Sequence, residues 1–157
     1  MEKLTTKDYV AKIASATPLQ LVIITYELIL KYLDDATECI DDEKKFEFNL
    51  NKSRAFLDDL RNSLDMSYNI SRNLMVLYNY VSQQMSYYMF NKNPEYADEI
   101  KKVMTELLNG WNTIEKEEED KTPIMENTQQ LYAGLTYNRS GKLSEYVETD
   151  SKRGFKA

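Results

Sequence analysis

Histidine is absent from this chain, and this absence limits the chemistry that its side chains could perform. Without imidazole, the sequence excludes His-based acid–base catalysis, a Ser-His triad and imidazole metal ligands. The carboxylates include the adjacent pairs Asp34-Asp35, Asp41-Asp42 and Asp58-Asp59. Adjacent helical positions do not share a face, so these pairs are predicted to be solvated surface. We therefore expect no catalytic residue, no metal ligand and no cofactor.

Phosphate-binding loops and targeting segments are also missing from the sequence. The first 109 residues hold no glycine, which excludes a P-loop and a dinucleotide-binding fingerprint. The net charge of −6 argues against nucleic acid as the main partner. Cys39 is the single cysteine and fits a reducing cytoplasm. With no visible signal peptide, lipidation motif or membrane span, we expect a cytoplasmic protein without stable membrane insertion.

The elements that must position any site are predicted to be four long amphipathic helices. Thr17 and Gln20 form a capping box around Pro18, and each of the three prolines follows a good N-cap residue: Thr17, Asn93 or Thr122. Each proline is therefore predicted to open a helix. Short connections between long helices are typical of an all-α fold, an antiparallel up-down-up-down four-helix bundle. The predicted helices run from Pro18 to about Ile40, roughly over residues 45–65, roughly over residues 68–90, and onward from Pro94.

The chain is predicted to divide into a bundle domain at residues 1–121 and a different segment at residues 122–157. The second part is expected to be a short helix followed by a flexible polar tail. Within it, the apolar stretch LYAGLTY at Leu131–Tyr137 suggests two hypotheses. It could lie across the bundle as a ligand of its own chain, or it could meet a neighbouring copy, which leaves a homodimer open.

The first helix carries more apolar surface than one bundle interior requires. Its inward line is predicted to be Leu19, Val22, Tyr26, Ile29, Leu33 and Ile40, and its second stripe is Leu21, Ile24, Leu28 and Tyr32. Either the core and the C-terminal segment bury the second stripe, or part of it stays open to a partner. An open stripe of this kind suits an amphipathic helix lying in a groove.

The third helix shows a similar division between two lines of apolar residues. Its inward line is predicted to be Ile70, Leu74, Leu77, Val81 and Tyr88, while Val76, Tyr80 and Tyr87 lie off that line. Tyr combines a large apolar body with a polar end that tolerates water, which suits a partner-binding surface as well as a half-buried position.

Three stretches of the sequence resemble the bacterial flagellin export chaperone family, FliS. The segment SATPLQL at residues 15–21 is similar to the family's T-A-S-P-x-x-L, and Tyr26-Glu27 stands where the family has Tyr-Asp. The segment at residues 73–80 is similar to its N-L-x-x-L-Y-x-Y, and the region around Trp111 approximately matches a late family motif. The resemblance covers roughly residues 9–115. Leu28-Ile29 departs from the usual Gly-Ala of the family, and the tail has no counterpart in it.

This resemblance implies a cytosolic four-helix bundle that binds the C-terminal segment of flagellin. It also implies that binding prevents premature polymerisation, and that the chaperone helps deliver flagellin to the flagellar type III export gate. The candidate partner-binding residues are Tyr9, Ile13, Leu21, Ile24, Leu28, Tyr32, Tyr80 and Tyr87. Tyr9 and Ile13 are expected to form a mobile N-terminal cover over the groove, and plain bundle packing is the alternative for every candidate.

Two other function classes remain open from the sequence. One is a non-enzymatic helical-bundle adaptor or regulator of type III secretion with a different protein cargo. The other is a bundle enzyme with a carboxylate-bridged metal pair, which needs inward Glu residues and usually Glu-x-x-His pairs. The acidic residues lie off the apolar stripes and histidine is absent, so an enzyme is the least favoured interpretation.

Overall fold

A computed structural model describes residues 6–119 of the chain, and the regular elements in this range are five α-helices. The prediction of an all-α fold is therefore confirmed. The predicted short helix and polar tail at residues 122–157 lie outside the described residues. The helices are α1 (Thr6–Ala14), α2 (Pro18–Glu38), α3 (Glu43–Ser63), α4 (Asn69–Asn91) and α5 (Pro94–Glu119).

The two helices that follow an X-Pro pair begin where the sequence predicts. In front of α2, the Gln20 amide donates to Thr17 Oγ1 at 3.2 Å, and the Thr17 amide donates to Gln20 Oε1 at 3.0 Å. In front of α5, Asn93 Oδ1 accepts a hydrogen bond from the Glu95 amide at 3.0 Å. Both caps satisfy backbone donors that the first helical turn leaves without partners.

The ends of α3 and α4 are formed without glycine. Asp42 Oδ1 accepts from the Lys45 amide at 3.3 Å and caps α3. Between α3 and α4, Asp65 Oδ1 accepts from the amide and the hydroxyl of Ser67, at 3.1 and 2.6 Å. This link contains the break that the sequence predicts near residues 66–68. Lys92 ends α4 in the left-handed region with φ 54°, and its amide donates to Tyr88 O at 2.9 Å.

Each of the four long helices packs on two others, and α1 packs on α2. Helix α2 contacts α3 and α5, and α4 contacts the same two helices. All five helices contribute to one hydrophobic cluster. Within it, the hydroxyls of Tyr26 and Tyr78 share a hydrogen bond that joins α2 to α4. Ser53 Oγ donates to the Ile29 carbonyl at 2.7 Å and joins α3 to α2, so the buried polar groups at these contacts have partners.

The inward line of α4 differs from the prediction at one position. Leu77 was predicted to face the core but is 37% exposed, whereas the adjacent Tyr78 is fully buried. The buried residues of α4 recur at alternating intervals of three and four, and Tyr78 falls on that line while Leu77 does not. The buried residues are Ser71, Leu74, Tyr78, Val81, Met85 and Tyr88. The hydrogen bond to Tyr26 allows a tyrosine hydroxyl to occupy this central position.

Candidate functional site

Helix α2 is buried on every side along its first half. Every residue from Leu21 to Tyr26 is buried, including Ile24, which lies nearly opposite the inward-facing Tyr26 on the helix. A helix that is apolar all round needs cover on its outer side as well as on its core side. We call the residues Leu21, Ile24 and Leu28 the outer face of α2; all three are buried.

Helix α1 packs on α2 at this outer face, where Lys12 of α1 lines one cleft together with Ile24. Tyr9 and Ile13 are one helical turn apart, both are buried, and both belong to the hydrophobic cluster that contains the outer face. Tyr9 lies within electrostatic range of Glu27, Tyr32 and Asp35, so α1 runs back along α2 from the turn that joins them. The segment that the sequence predicts to be a mobile cover is a helix in the structure, and this helix packs on α2.

The helical form of α1 depends on its docking. The described part of α1 spans nine residues, and isolated helices shorter than about 12–15 residues are marginal in water. Its stability must therefore come from Tyr9 and Ile13 packing on α2. Sequence reasoning placed these two residues in a segment before the first helix and did not predict that the segment is helical.

A polar cleft lies beside the outer face, between α1, α2 and α5. Its volume is about 280 Å³, and its lining is Lys12, Ser15, Gln20, Ile23, Ile24, Glu27 and Glu115. Burial raises the pKa of Glu27, and the ammonium of Lys12 lowers it by less. Burial also raises the pKa of Glu115, with further increases from the negative charges of Glu119 and Glu27. Among the residues that line this cleft, Lys12 is the cation that acts on both carboxylates, and its effect on their pKa values is smaller than that of burial.

The hydroxyl of Tyr9 is held in its neutral form at this contact. Burial, followed by the nearby carboxylate of Glu27, raises the pKa of Tyr9 to about 12. The ammonium of Lys12 lies 5.9 Å from the Tyr9 ring centroid, close enough for a cation–π attraction. One face of α1 therefore presents an apolar pair and a neighbouring cation to α2.

A second apolar region is open to solvent on α4. Val76 and Phe90 are 68% and 88% exposed, and Tyr80 and Tyr87 are 38% and 42% exposed. With Leu77 these four residues form what we call the α4 surface. No charged residue occurs from Asn73 to Asn91, so the exposed side of this helix is uncharged as well as partly apolar.

The two tyrosines of the α4 surface rest against α5. Tyr80 donates a hydrogen bond to Glu99 Oε1 at 2.9 Å, which raises the pKa of Tyr80. The Tyr87 ring packs on the ring of Tyr96 with a centroid distance of 5.8 Å. Both phenols thus keep their polar ends in water while their rings cover part of the α4–α5 contact.

The structure divides the eight predicted partner-binding residues into two groups. Six lie on α1 and α2: Tyr9, Ile13, Leu21, Ile24, Leu28 and Tyr32. Tyr32 is half-buried and stacks on Phe56 of α3 at 5.9 Å, whereas Tyr80 and Tyr87 lie on α4.

Sequence reasoning missed the carboxylates of the cleft and the exposed Phe90. Glu27 is the only charged residue between Pro18 and Leu30, and that isolation within an apolar helix could have identified it. No comparable sequence signal marks Glu115, which lies in a run of acidic residues. Its proximity to Glu27 depends on how α5 packs against α2.

A family model described as Flagellar protein FliS matches residues 1–118 of the chain. No curated protein matches it. Within residues 6–119, no helix is long and apolar enough to cross a membrane. In the same range, no three or more Cys, Asp or Glu side chains are grouped so that they could hold a metal ion.

Proposed function

Since the chain belongs to the flagellar protein FliS family, a family of flagellar export chaperones, we propose that it binds the C-terminal segment of flagellin in the cytoplasm. That segment forms the helical core of the filament, so masking it would prevent premature polymerisation. The chaperone would then help deliver flagellin to the type III export gate. The contacts between helices support a scaffold for this role, an antiparallel up-down-up-down four-helix bundle formed by α2 to α5.

Contacts near the helix ends support that antiparallel arrangement. Thr37 Oγ1 and the Tyr88 hydroxyl lie 2.8 Å apart, so the C-terminal ends of α2 and α4 are neighbours. Lys101 near the start of α5 pairs with Asp34 near the end of α2 at 2.8 Å. These contacts support consecutive helices that run in opposite directions, as short links between them favour.

The observation that carries the proposed function is the docking of α1 on the outer face of α2. A short amphipathic helix, held by two apolar side chains one turn apart, already occupies this face. An amphipathic helix lying on an apolar groove is a recurrent mode of peptide recognition. In our proposal the flagellin segment takes the place of α1, and α1 covers the apolar side chains while cargo is absent.

The energetics favour reversible binding. A disordered segment that folds on binding loses about 2–5 kcal/mol to ordering, and α1 must also leave its position. Apolar burial at about 25 cal/mol per Å² would offset both costs. The exposed α4 surface offers a second contact through Tyr80 and Tyr87, which would let one extended cargo segment use two faces of the bundle.

The proposed function can be tested with a double substitution on the outer face, Ile24→Glu with Leu28→Glu. Two carboxylates there oppose the docking of any apolar helix, so capture of a synthetic flagellin C-terminal peptide should be lost. The four long helices should remain folded because α1 can move away, which circular dichroism would check. The matched control adds two acids at exposed positions of α3, Phe48→Glu with Asn51→Glu, and should leave capture unchanged.

A folded outer-face variant that captures the peptide as well as the original chain would contradict the proposed groove.

The second candidate function, an adaptor of type III secretion with another cargo, is favoured by the Leu28-Ile29 departure from the family pattern. Purification of the tagged protein from its own cells separates the two. Flagellin in the purified complex supports the first function, and a different export substrate without flagellin supports the second.

A further inference from the structure

The polar cleft beside the outer face is not explained by the packing of an apolar helix. Its two carboxylates, Glu27 on α2 and Glu115 on α5, are both only partly accessible. Half-buried carboxylates lose hydration, and this loss is recovered only when a cation or a hydrogen-bond donor replaces the water. A surface built only to hold apolar side chains has no need of such groups.

Helix α1 supplies a cation to this cleft from its rim. Lys12 precedes Ile13 and lies three residues after Tyr9, so it flanks the apolar pair that docks on α2. Its ammonium acts on both Glu27 and Glu115. Lys12 itself remains exposed, and the cleft of about 280 Å³ leaves room for a longer side chain beside it.

We propose that Glu27 and Glu115 select a basic side chain on the helical cargo segment that replaces α1, and that Lys12 occupies this position in the free protein. The recognised pattern is thus more than an apolar stripe. The cargo helix presents two apolar residues one turn apart and a Lys or Arg beside them, with the cation entering the cleft. Arg suits the position well, because its planar fork can donate to two carboxylates at once.

This inference rests on the proposed function and deepens it. In this proposal, cargo can replace α1 without leaving the carboxylates of Glu27 and Glu115 buried and uncompensated. When α1 leaves, Glu27 and Glu115 would lose the cation that Lys12 provides, and a purely apolar cargo helix would cover them without compensation. A cargo helix with a basic residue avoids that cost, so the acidic pair discriminates between two otherwise similar apolar helices.

The test compares two synthetic peptides of the flagellin C-terminal segment, one native and one with every Lys and Arg replaced by Gln. Their dissociation constants are measured with the full chain and with the double variant Glu27→Gln, Glu115→Gln. The full chain should bind the native peptide about tenfold more tightly than the Gln peptide, as a lost charged hydrogen bond implies. In the double variant this ratio should fall toward one. Competition from α1 affects both peptides equally and cancels in the ratio.

The matched control is Glu106→Gln, an exposed position about two and a half turns from Glu115 on the other side of α5. It removes one carboxylate as well and should preserve the ratio of the full chain. Equal binding of both peptides by the full chain, or the same ratio in the double variant, would overturn the inference while leaving the proposed function intact. Absence of any binding of the native peptide would reject the proposed function, and the inference would fall with it.

Discussion

The outer face of α2 and the α4 surface are both apolar, yet one is covered and the other is open. The outer face consists of Leu21, Ile24 and Leu28, which have no polar atoms in their side chains, and α1 covers it. The α4 surface combines Val76, Leu77 and Phe90 with two tyrosines, and lies open to solvent. Both regions lie off the inward lines that form the bundle interior.

The two regions differ in whether their side chains can form hydrogen bonds at the surface. The tyrosine hydroxyls of α4 have polar partners, because Tyr80 donates to Glu99 and Gln83 donates to the Tyr87 hydroxyl at 3.0 Å. An aliphatic face has no such option, so it is stabilised when α1 packs on it. In our proposal, cargo thus replaces α1 on the aliphatic face, whereas it can contact the open α4 surface directly.

The largest expected effect is a loss of unfolding free energy, which should be greater for a substitution on the core side of α2 than for one on its outer face. Ile29→Ala removes side-chain atoms from a fully buried position, and should lower the free energy of unfolding by about 2–5 kcal/mol. Ile24→Ala should cost clearly less, because Ile24 lies on the outer face of α2 beside a cleft rather than in the middle of the core. Urea denaturation followed by circular dichroism measures both. Equal losses would mean that α1 is an integral part of the bundle rather than a cover.

A second test releases the cover without touching the outer face. Tyr9→Ala with Ile13→Ala removes the two side chains that hold α1, so the segment should lose its helix and expose the face beneath. Amide hydrogen exchange in residues 6–14 should become faster, and binding of a hydrophobic dye should increase. The control Val10→Ala, at a half-buried position of the same helix, should change both signals less.

The pH dependence of stability tests the cleft. Burial raises the pKa of Glu27 above its unfolded value, so the native state binds this proton more tightly than the unfolded state does. The stabilising effect of that proton is fully present below the unfolded pKa of about 4.3 and is lost as the pH rises through the folded pKa. The charges facing Glu27 are those of Lys12 and Glu115, with the Tyr9 hydroxyl beside them.

Glu27→Gln should therefore raise the thermal unfolding midpoint at pH 7, and its advantage over the original chain should shrink as the pH falls toward that unfolded value. Scanning calorimetry of the two proteins across this range gives the comparison. A variant that is less stable than the original at pH 7 would show that the attraction of Lys12 outweighs the burial of the carboxyl group.

The smallest effect on stability is expected at the α4 surface. Val76→Ser with Phe90→Ser changes two exposed side chains, and each substitution should alter the free energy of unfolding by no more than about 0.5 kcal/mol. If this surface contacts cargo, the same variant should still bind flagellin peptide more weakly. Unchanged peptide affinity would limit the cargo contact to the outer face of α2.

The sequence predicts the fold well wherever local chemistry decides the structure. The caps at Thr17 and Asn93 fix two helix starts, because they satisfy particular backbone donors. The choice between Leu77 and Tyr78 was wrong because hydropathy favours leucine, while a hydrogen bond across the bundle makes the tyrosine acceptable in the core. The hydropathy pattern of one helix cannot predict a hydrogen-bond partner that lies 52 residues away in the sequence.

The candidate site was less predictable for the same reason. The amphipathic stripe identified Ile24 and its neighbours, since periodicity is a property of one helix. The cover and the acidic cleft depend on how α1 and α5 lie against α2, which no single segment encodes. Glu115 in particular is one of several carboxylates at the end of α5, and only the packed structure distinguishes it from the others.

The central claim is that cargo replaces α1 on the outer face of α2. The most direct measurement is amide hydrogen exchange of the full chain, with and without a saturating flagellin C-terminal peptide. The account predicts that exchange in residues 6–14 accelerates when the peptide binds, while the amides of Leu21–Leu28 stay protected. An α1 segment that keeps its protection while the peptide is bound would contradict the claim.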